Sequence, residues 1–158
     1  MILRVKGLYK GFKGVPVLED VSFGLKSGEI LAVIGRSGTG KTTLLRCINN
    51  LEKCDRGTIE VDNDYLCKDD GKKSVYPKPA EMLPLRKKLG LVFQNFNLFP
   101  HMSVMENIIE APIRVFGIPR KEAAEKAREL LVRLDIEDKE NSYPFELSGG
   151  QMQRLAIA

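Results

Sequence analysis

One stretch constrains this chain more than any other: Gly35-Arg36-Ser37-Gly38-Thr39-Gly40-Lys41-Thr42, which satisfies G-x-x-x-x-G-K-[ST] in full. The residues before it, Glu29 to Ile34, read EILAVI. A near-continuous apolar run of this kind suits a strand buried on both faces of a parallel sheet. The residues after it, Thr43-Leu44-Leu45-Arg46-Cys47-Ile48, predict a helix with its apolar side inward. Strand, glycine loop and helix together make a phosphate cradle. The glycines let backbone N–H groups converge on one anion without Cβ obstruction. The helix start adds unpaired N–H groups and the positive end of its dipole. Lys41 has the reach for β- and γ-phosphates, and Thr42 offers a hydroxyl to Mg²⁺. The motif implies a nucleoside triphosphate. It does not by itself distinguish a kinase, a GTPase or a transporter.

A second helix start lies near the other end, in Leu147-Ser148-Gly149-Gly150-Gln151-Met152-Gln153-Arg154. Ser148 suits an N-cap, and Gln151 three residues on completes a capping box. Two glycines just inside the cap cost helix propensity, which makes sense if a ligand must approach the backbone closely. The residues alone leave an ordinary capped helix equally open.

Taken together, the loop at 35–42, Val92-Phe93-Gln94 and Leu147-Ser148-Gly149-Gly150-Gln151 resemble, in that order, the ATP-binding cassette (ABC) ATPase family over the whole chain. The resemblance implies an α/β fold: a P-loop NTPase core with an N-terminal antiparallel β subdomain and an α-helical signature subdomain. Its expected domains are 1–94, the nucleotide-binding core with the β subdomain, and 95–158, the helical subdomain with the signature at 147–151. The cofactors it implies are ATP and Mg²⁺. Gly35, Ser37, Gly38, Thr39, Gly40, Lys41, Thr42 and Thr43 would hold the phosphates, and Phe12 would stack on adenine, with Tyr9 as the alternative. Lys41 and Gln94 take the catalytic positions, and Thr42 and Gln94 the metal positions. Ser148, Gly149, Gly150 and Gln151 would bind the γ-phosphate of ATP held by a second ATP-binding subunit, so that a head-to-tail homodimer sandwiches two nucleotides. Closure on ATP and reopening after hydrolysis would drive transport.

The segment Asn95 to Phe116 carries the family's contact with integral membrane permease subunits, which in turn meet a substrate-binding protein. It contains a capping box, Ser103 with Glu106, ahead of an apolar-periodic helix that Pro112 is expected to kink. Phe96, Leu98, Phe99 and Met102 form an apolar loop cluster read both as packing and as a docking groove. Arg120 to Leu134 predicts an amphipathic helix with Ala123, Ala124, Ala127, Leu130, Leu131 and Leu134 on one side. The stretches 46–52 and 92–101, and Glu106-Asn107 with Glu110-Ala111-Pro112, closely resemble importers of polar amino acids, as does the polar insert at 62–80.

Composition excludes little but agrees. The 158 residues are 43% hydrophobic, enough for a core, and no apolar run reaches the roughly 18 residues of a membrane span. The N-terminus lacks a basic flank ahead of an apolar stretch, which points to the cytoplasm, and the resemblance implies a place at the cytoplasmic face of the membrane. The net charge of +4 comes with only short basic runs, and no nucleic-acid partner is expected. Cys47, Cys54 and Cys67 lack metal-ligand spacing and read as reduced thiols. His101, the only histidine, reads as a loop residue. In the family, the signature helix leads to a strand ending in an aspartate for Mg²⁺ and a glutamate that polarises water, and a histidine loop follows. None of these occurs within 158 residues, so the core sheet is expected to be incomplete, apolar surface exposed and hydrolysis very slow. A soluble ABC protein outside transport, a metabolite kinase and a non-hydrolysing fragment are the competing readings.

Overall fold

The computed structural model describes residues 1–158, which divide into two compact units, Met1–Leu91 and Val92–Ala158. In the first, strands β1 (Leu3–Phe12) and β2 (Val15–Leu25) pair antiparallel, with Phe12 opposite Val15 at the turn. β3 (Arg56–Val61) adds to the other edge of β1, and β4 (Asp64–Asp69) and the short β5 (Ser74–Val75) follow, giving the order β2-β1-β3-β4-β5 with every pairing antiparallel. Asp62 and Asn63 at the β3–β4 turn both have positive φ (51° and 66°), as the tightest hairpin turns require and as Asp and Asn tolerate.

Alternation along the strands sends Val5, Leu8, Ile59, Val61 and Leu66 to one buried face. Helix α1 (Lys41–Ile48) covers it with Leu44, Cys47 and Ile48, and α2 (Pro79–Arg86) with Met82 and Leu85.

Glu29–Ile34, expected as a strand buried on both faces, forms no strand. Ile30 is 97% and Ile34 92% exposed. The reason is pairing: a strand buried on both faces needs ladder partners along its edges, and none of the five strands flanks it. The parallel sheet of the expected core is therefore absent. Val92 and Phe93 likewise lie outside any strand and are exposed.

The second unit is helical. α3 (Val104–Phe116) runs unbroken through Pro112 to a left-handed cap at Gly117. The box that starts it is formed as expected: Ser103 Oγ accepts from Glu106 N–H (3.2 Å), and Glu106 Oε2 accepts from Ser103 N–H (2.8 Å). α4 (Arg120–Arg133) buries Ala123, Ala127 and Leu131, the predicted apolar side. α5 (Gly149–Ile157) adds Leu155 to the same core. Arg128 grips Glu140 through Nε and Nη2 (3.1 and 2.9 Å), and the Ser142 carbonyl accepts from Val104 N–H (2.8 Å), so the 140–142 turn is tied to both α3 and α4. No helix is long and apolar enough to cross a membrane.

Candidate functional site

The glycine loop ends at Gly40, whose backbone is left-handed (φ 89°, ψ 3°) and serves as the N-cap of α1. Only glycine fits there. A Cβ on Gly40 would meet Val17 O at 2.9 Å and the Val17 and Leu18 side chains at 3.0 Å. Gly38 is left-handed too (φ 85°), but a Cβ on it would meet nothing within 4 Å. One glycine is thus packed on β2, while the other borders open space, as a loop that admits a ligand requires.

No side chain caps α1, so its first N–H groups lack intrahelical acceptors and face an open approach. Lys41 Nζ lies over the loop and donates to the Gly35 and Arg36 carbonyls (2.8 and 2.7 Å). Thr39 Oγ1 donates to the Arg36 carbonyl (2.9 Å), which shapes the same turn. Thr42 is exposed on the first turn of α1, and Thr43 is half-buried. Gly35 and Ser37 are exposed within the loop. These residues therefore lie together in one loop and helix start, with the Lys41 ammonium group and the hydroxyls of Ser37, Thr42 and Thr43. That donor set suits a phosphate chain and a hard cation bound through oxygen.

The contact of Gly40 with Val17 and Leu18 places the cradle against the hairpin whose other strand ends in Phe12. Phe12 is 43% exposed, and Lys10 Nζ sits 4.8 Å from its ring centroid. Tyr9, the alternative stacking residue, is also exposed and is flanked by the Arg56 guanidinium at 5.9 Å.

The end of β1 is held by contacts that sequence reading did not anticipate. Asp55 Oδ2 accepts from Gly11 N–H (2.8 Å), and the Tyr9 carbonyl accepts from Asp55 N–H (2.9 Å). Lys10 Nζ pairs with Glu52 (2.8 Å) and donates to the Lys53 carbonyl (2.8 Å). Burial alone would depress the Lys10 pKa, yet its hydrogen bond to Glu52 and the Asp55 and Glu52 charges leave it raised. The partners lie more than 40 residues apart in sequence, so no local pattern signals them.

In the second unit, Ser148 Oγ accepts from Gln151 N–H (3.3 Å) and Gln151 Oε1 accepts from Ser148 N–H (2.8 Å), which completes the expected box. Ser148, Gly149 and Gly150 are exposed, and a Cβ on either glycine would meet nothing within 4 Å. The start of α5 thus presents uncrowded N–H groups. Gln94 is exposed at a turn that opens this unit.

The loop after Gln94 is organised by Asn107, a residue whose role the sequence did not show. Asn107 Oδ1 accepts from Phe99 N–H (2.8 Å), while Nδ2 donates to the carbonyls of Phe99, Met102 and Ser103 (3.1, 3.1 and 3.0 Å). Within this unit Phe96, Leu98, Phe99, Ala111 and Phe116 line an open apolar groove beside α4 and α5. Leu98 packs on the core, whereas Phe99 is 49% exposed with its ring edge against His101.

Comparison with known proteins agrees with these features. The ABC transporter family is matched over residues 18–158. The L-cystine transport system ATP-binding protein TcyN of Escherichia coli is 50% identical over 156 residues, covering 99% of this chain and 61% of that protein. The histidine/lysine/arginine/ornithine transport ATP-binding protein HisP of Salmonella typhimurium is 45% identical over 160 residues, covering 99% of this chain and 62% of that protein. The chain therefore spans about three fifths of the length of these relatives. Among solved structures, a dimeric bacterial ABC transporter cassette superposes with a TM-score of 0.82 at 32% identity, over 98% of this chain and 67% of that one. A dimeric post-hydrolysis cassette bound to ADP and Pi gives 0.80 at 33% identity, over the same shares of the two chains.

Proposed function

The chain belongs to the ABC transporter family, and from that membership we propose that it is the ATP-binding, energy-coupling part of an importer for polar amino acids. The observation that carries the reading is the cradle at 35–42: left-handed Gly38 and Gly40, an uncapped helix start and Lys41 poised over the loop. Membership alone does not name the cargo. Support for a polar amino acid comes from relatives named for transport of L-cystine, of glutamine, and of histidine, lysine, arginine and ornithine.

In this reading Lys41 and the loop N–H groups hold the β- and γ-phosphates, with Gly35, Ser37, Thr39 and Thr43 completing the cradle. Phe12 stacks on adenine. Thr42 and Gln94 hold Mg²⁺, which when bound offsets phosphate charge. Ser148, Gly149, Gly150 and Gln151 of a second copy close over the γ-phosphate, using the open start of α5. A nucleotide shared in this way stabilises a head-to-tail homodimer, and its hydrolysis releases the pair. The groove at Phe96, Leu98 and Phe99 receives the membrane-embedded permease at the cytoplasmic face, and a substrate-binding protein acts through that permease. Residues 1–158 by themselves are expected to bind nucleotide and to turn it over very slowly.

The test is Mg²⁺-dependent ATP turnover by the full-length protein, its Lys41→Ala variant and residues 1–158 alone. Turnover confined to the unaltered full-length protein, with Lys41→Ala folded but reduced by about 10²-fold or more, is the expected result. Unchanged turnover in Lys41→Ala would overturn the assignment of the cradle. Fast turnover by residues 1–158 would place the groups that activate water within them.

A further inference from the structure

All three cysteines are free and buried, and two of them form a cluster that no part of the nucleotide chemistry uses. Cys54, in the loop between α1 and β3, has its sulfur 3.5 Å from that of Cys67 on β4. Around Cys54 Sγ stand Tyr76 Oη at 3.1 Å and Ser74 Oγ at 3.2 Å. Tyr76 Oη already accepts from Cys54 N–H (2.8 Å), so its own proton is free for the sulfur. Ser74 Oγ gives its proton to the Gly57 carbonyl (2.7 Å) and fixes β5 against the loop. A covalent S–S bond is about 2.05 Å long, so the sulfurs need to approach by roughly 1.5 Å. A loop residue can make that movement more readily than a residue inside two strands.

We propose that Cys54 and Cys67 are a disulfide-forming pair, oxidised by a peroxide and restored by thiol reductants. Their roles are unequal. Hydrogen bonding from the Cys67 thiol and from Tyr76 brings Cys54 down to about 6 against the cost of burial, while Cys67 is pushed up by the same bond and by burial. Cys54, whose sulfur has the Tyr76 hydroxyl and the Cys67 thiol within reach as donors, is the nucleophile, and Cys67 the resolving thiol. Cys47, pushed up to about 12 by burial, stays protonated and inert.

In the first step the Cys54 sulfur attacks one peroxide oxygen. The O–O bond breaks, the departing oxygen leaves as water with the proton lost from the thiol, and Cys54 becomes a sulfenic acid. In the second step the Cys67 sulfur attacks the Cys54 sulfur. The S–O bond breaks, hydroxide leaves as water with the Cys67 proton, and the S–S bond forms. Two thiols have given up two electrons, and the peroxide has become two waters. An open cavity lined by Asn50, Lys53, Tyr76 and Pro77 reaches the tyrosine that contacts Cys54. The loop that moves also carries the Lys53 carbonyl and Asp55, which hold Lys10 and Gly11, so the link pulls on the end of β1.

The experiment treats the reduced full-length protein with hydrogen peroxide, unfolds it in N-ethylmaleimide and maps peptides by mass spectrometry with and without dithiothreitol. Expected are a Cys54–Cys67 linked peptide lacking two hydrogens, restored by dithiothreitol, and a Cys47 that remains alkylated. In Cys67→Ser, dimedone is expected to trap Cys54 as a sulfenic acid. The proposal is overturned if all three thiols stay alkylated at a peroxide dose that oxidises the urea-unfolded protein. Linkage through Cys47 or between two chains would overturn it equally.

Discussion

Replacing Gly40 by alanine tests whether the cradle is held by packing on β2. At φ 89° an L-residue pays roughly 1–2 kcal/mol for its left-handed backbone. The new Cβ would also lie 2.9 Å from Val17 O, a strand carbonyl that cannot swing aside, and 3.0 Å from Val17 Cγ1 and Leu18 Cδ2. Overpacking of that kind adds about 1–3 kcal/mol. Gly38→Ala is the matched control, because it has nearly the same φ (85°) and no atom within 4 Å of its Cβ. The smaller conformational freedom of an unfolded chain carrying alanine is common to both variants and cancels in the difference. Gly40→Ala is therefore expected to melt below Gly38→Ala by the steric contribution alone, on the order of 2–12 °C at about 2–4 °C per kcal/mol. Differential scanning calorimetry of the full-length variants measures it, and titration with ATP adds the second axis. Gly38→Ala puts its methyl in the open space assigned to phosphate, so it is expected to lose nucleotide affinity out of proportion to its small loss of stability. Equal melting temperatures for the two variants would refute the argument that the loop is braced on β2.

Two further perturbations examine the contacts around the sites. Asp55→Ala removes the acceptor of Gly11 N–H and one partner of Lys10; because Asp55 is more than half exposed, the stability cost is about 1 kcal/mol or less. Weakened ATP binding with a nearly unchanged melting temperature is expected, and unchanged binding would show that the end of β1 needs no such anchor. Glu106, held below its ordinary 4.5 by hydrogen bonds from the Ser103 backbone and then its side chain, stabilises α3 above that ordinary value and loses the contribution as pH falls through the lower folded value. Glu106→Gln is expected to flatten the acid limb of the urea-midpoint curve below the carboxyl's ordinary value of 4.5, and an unchanged limb would count against the capping role.

What could be read from the chain follows the range of the interactions. A capping box closes over three residues, so Ser103 with Glu106 and Ser148 with Gln151 were visible as letters and appear as hydrogen bonds. The face of α4 repeats within four residues and was equally plain in Ala123, Ala127 and Leu131. The glycine loop was legible because its backbone conformation is a property of its own residues.

Sheet order is different. Nothing near Gly11 says that Asp55 will receive its N–H, because that depends on β3 joining the far edge of β1. The Cys54–Cys67 pair has the same origin: the β3–β4 hairpin sets Cys67 opposite Ile59, and the bond from Ser74 N–H to the Asp55 carbonyl (2.9 Å) draws β5 against the loop that carries Cys54. The run at 29–34 shows the converse. Its apolar letters state a demand for burial, but a buried strand is a relation between segments, and a demand without ladder partners leaves Ile30 and Ile34 in solvent. Apolarity alone therefore predicts where a strand would be stable and not that it forms. In this chain the same distinction separates the cradle's glycine loop, which is in place, from the strand expected to lead into it, which is not.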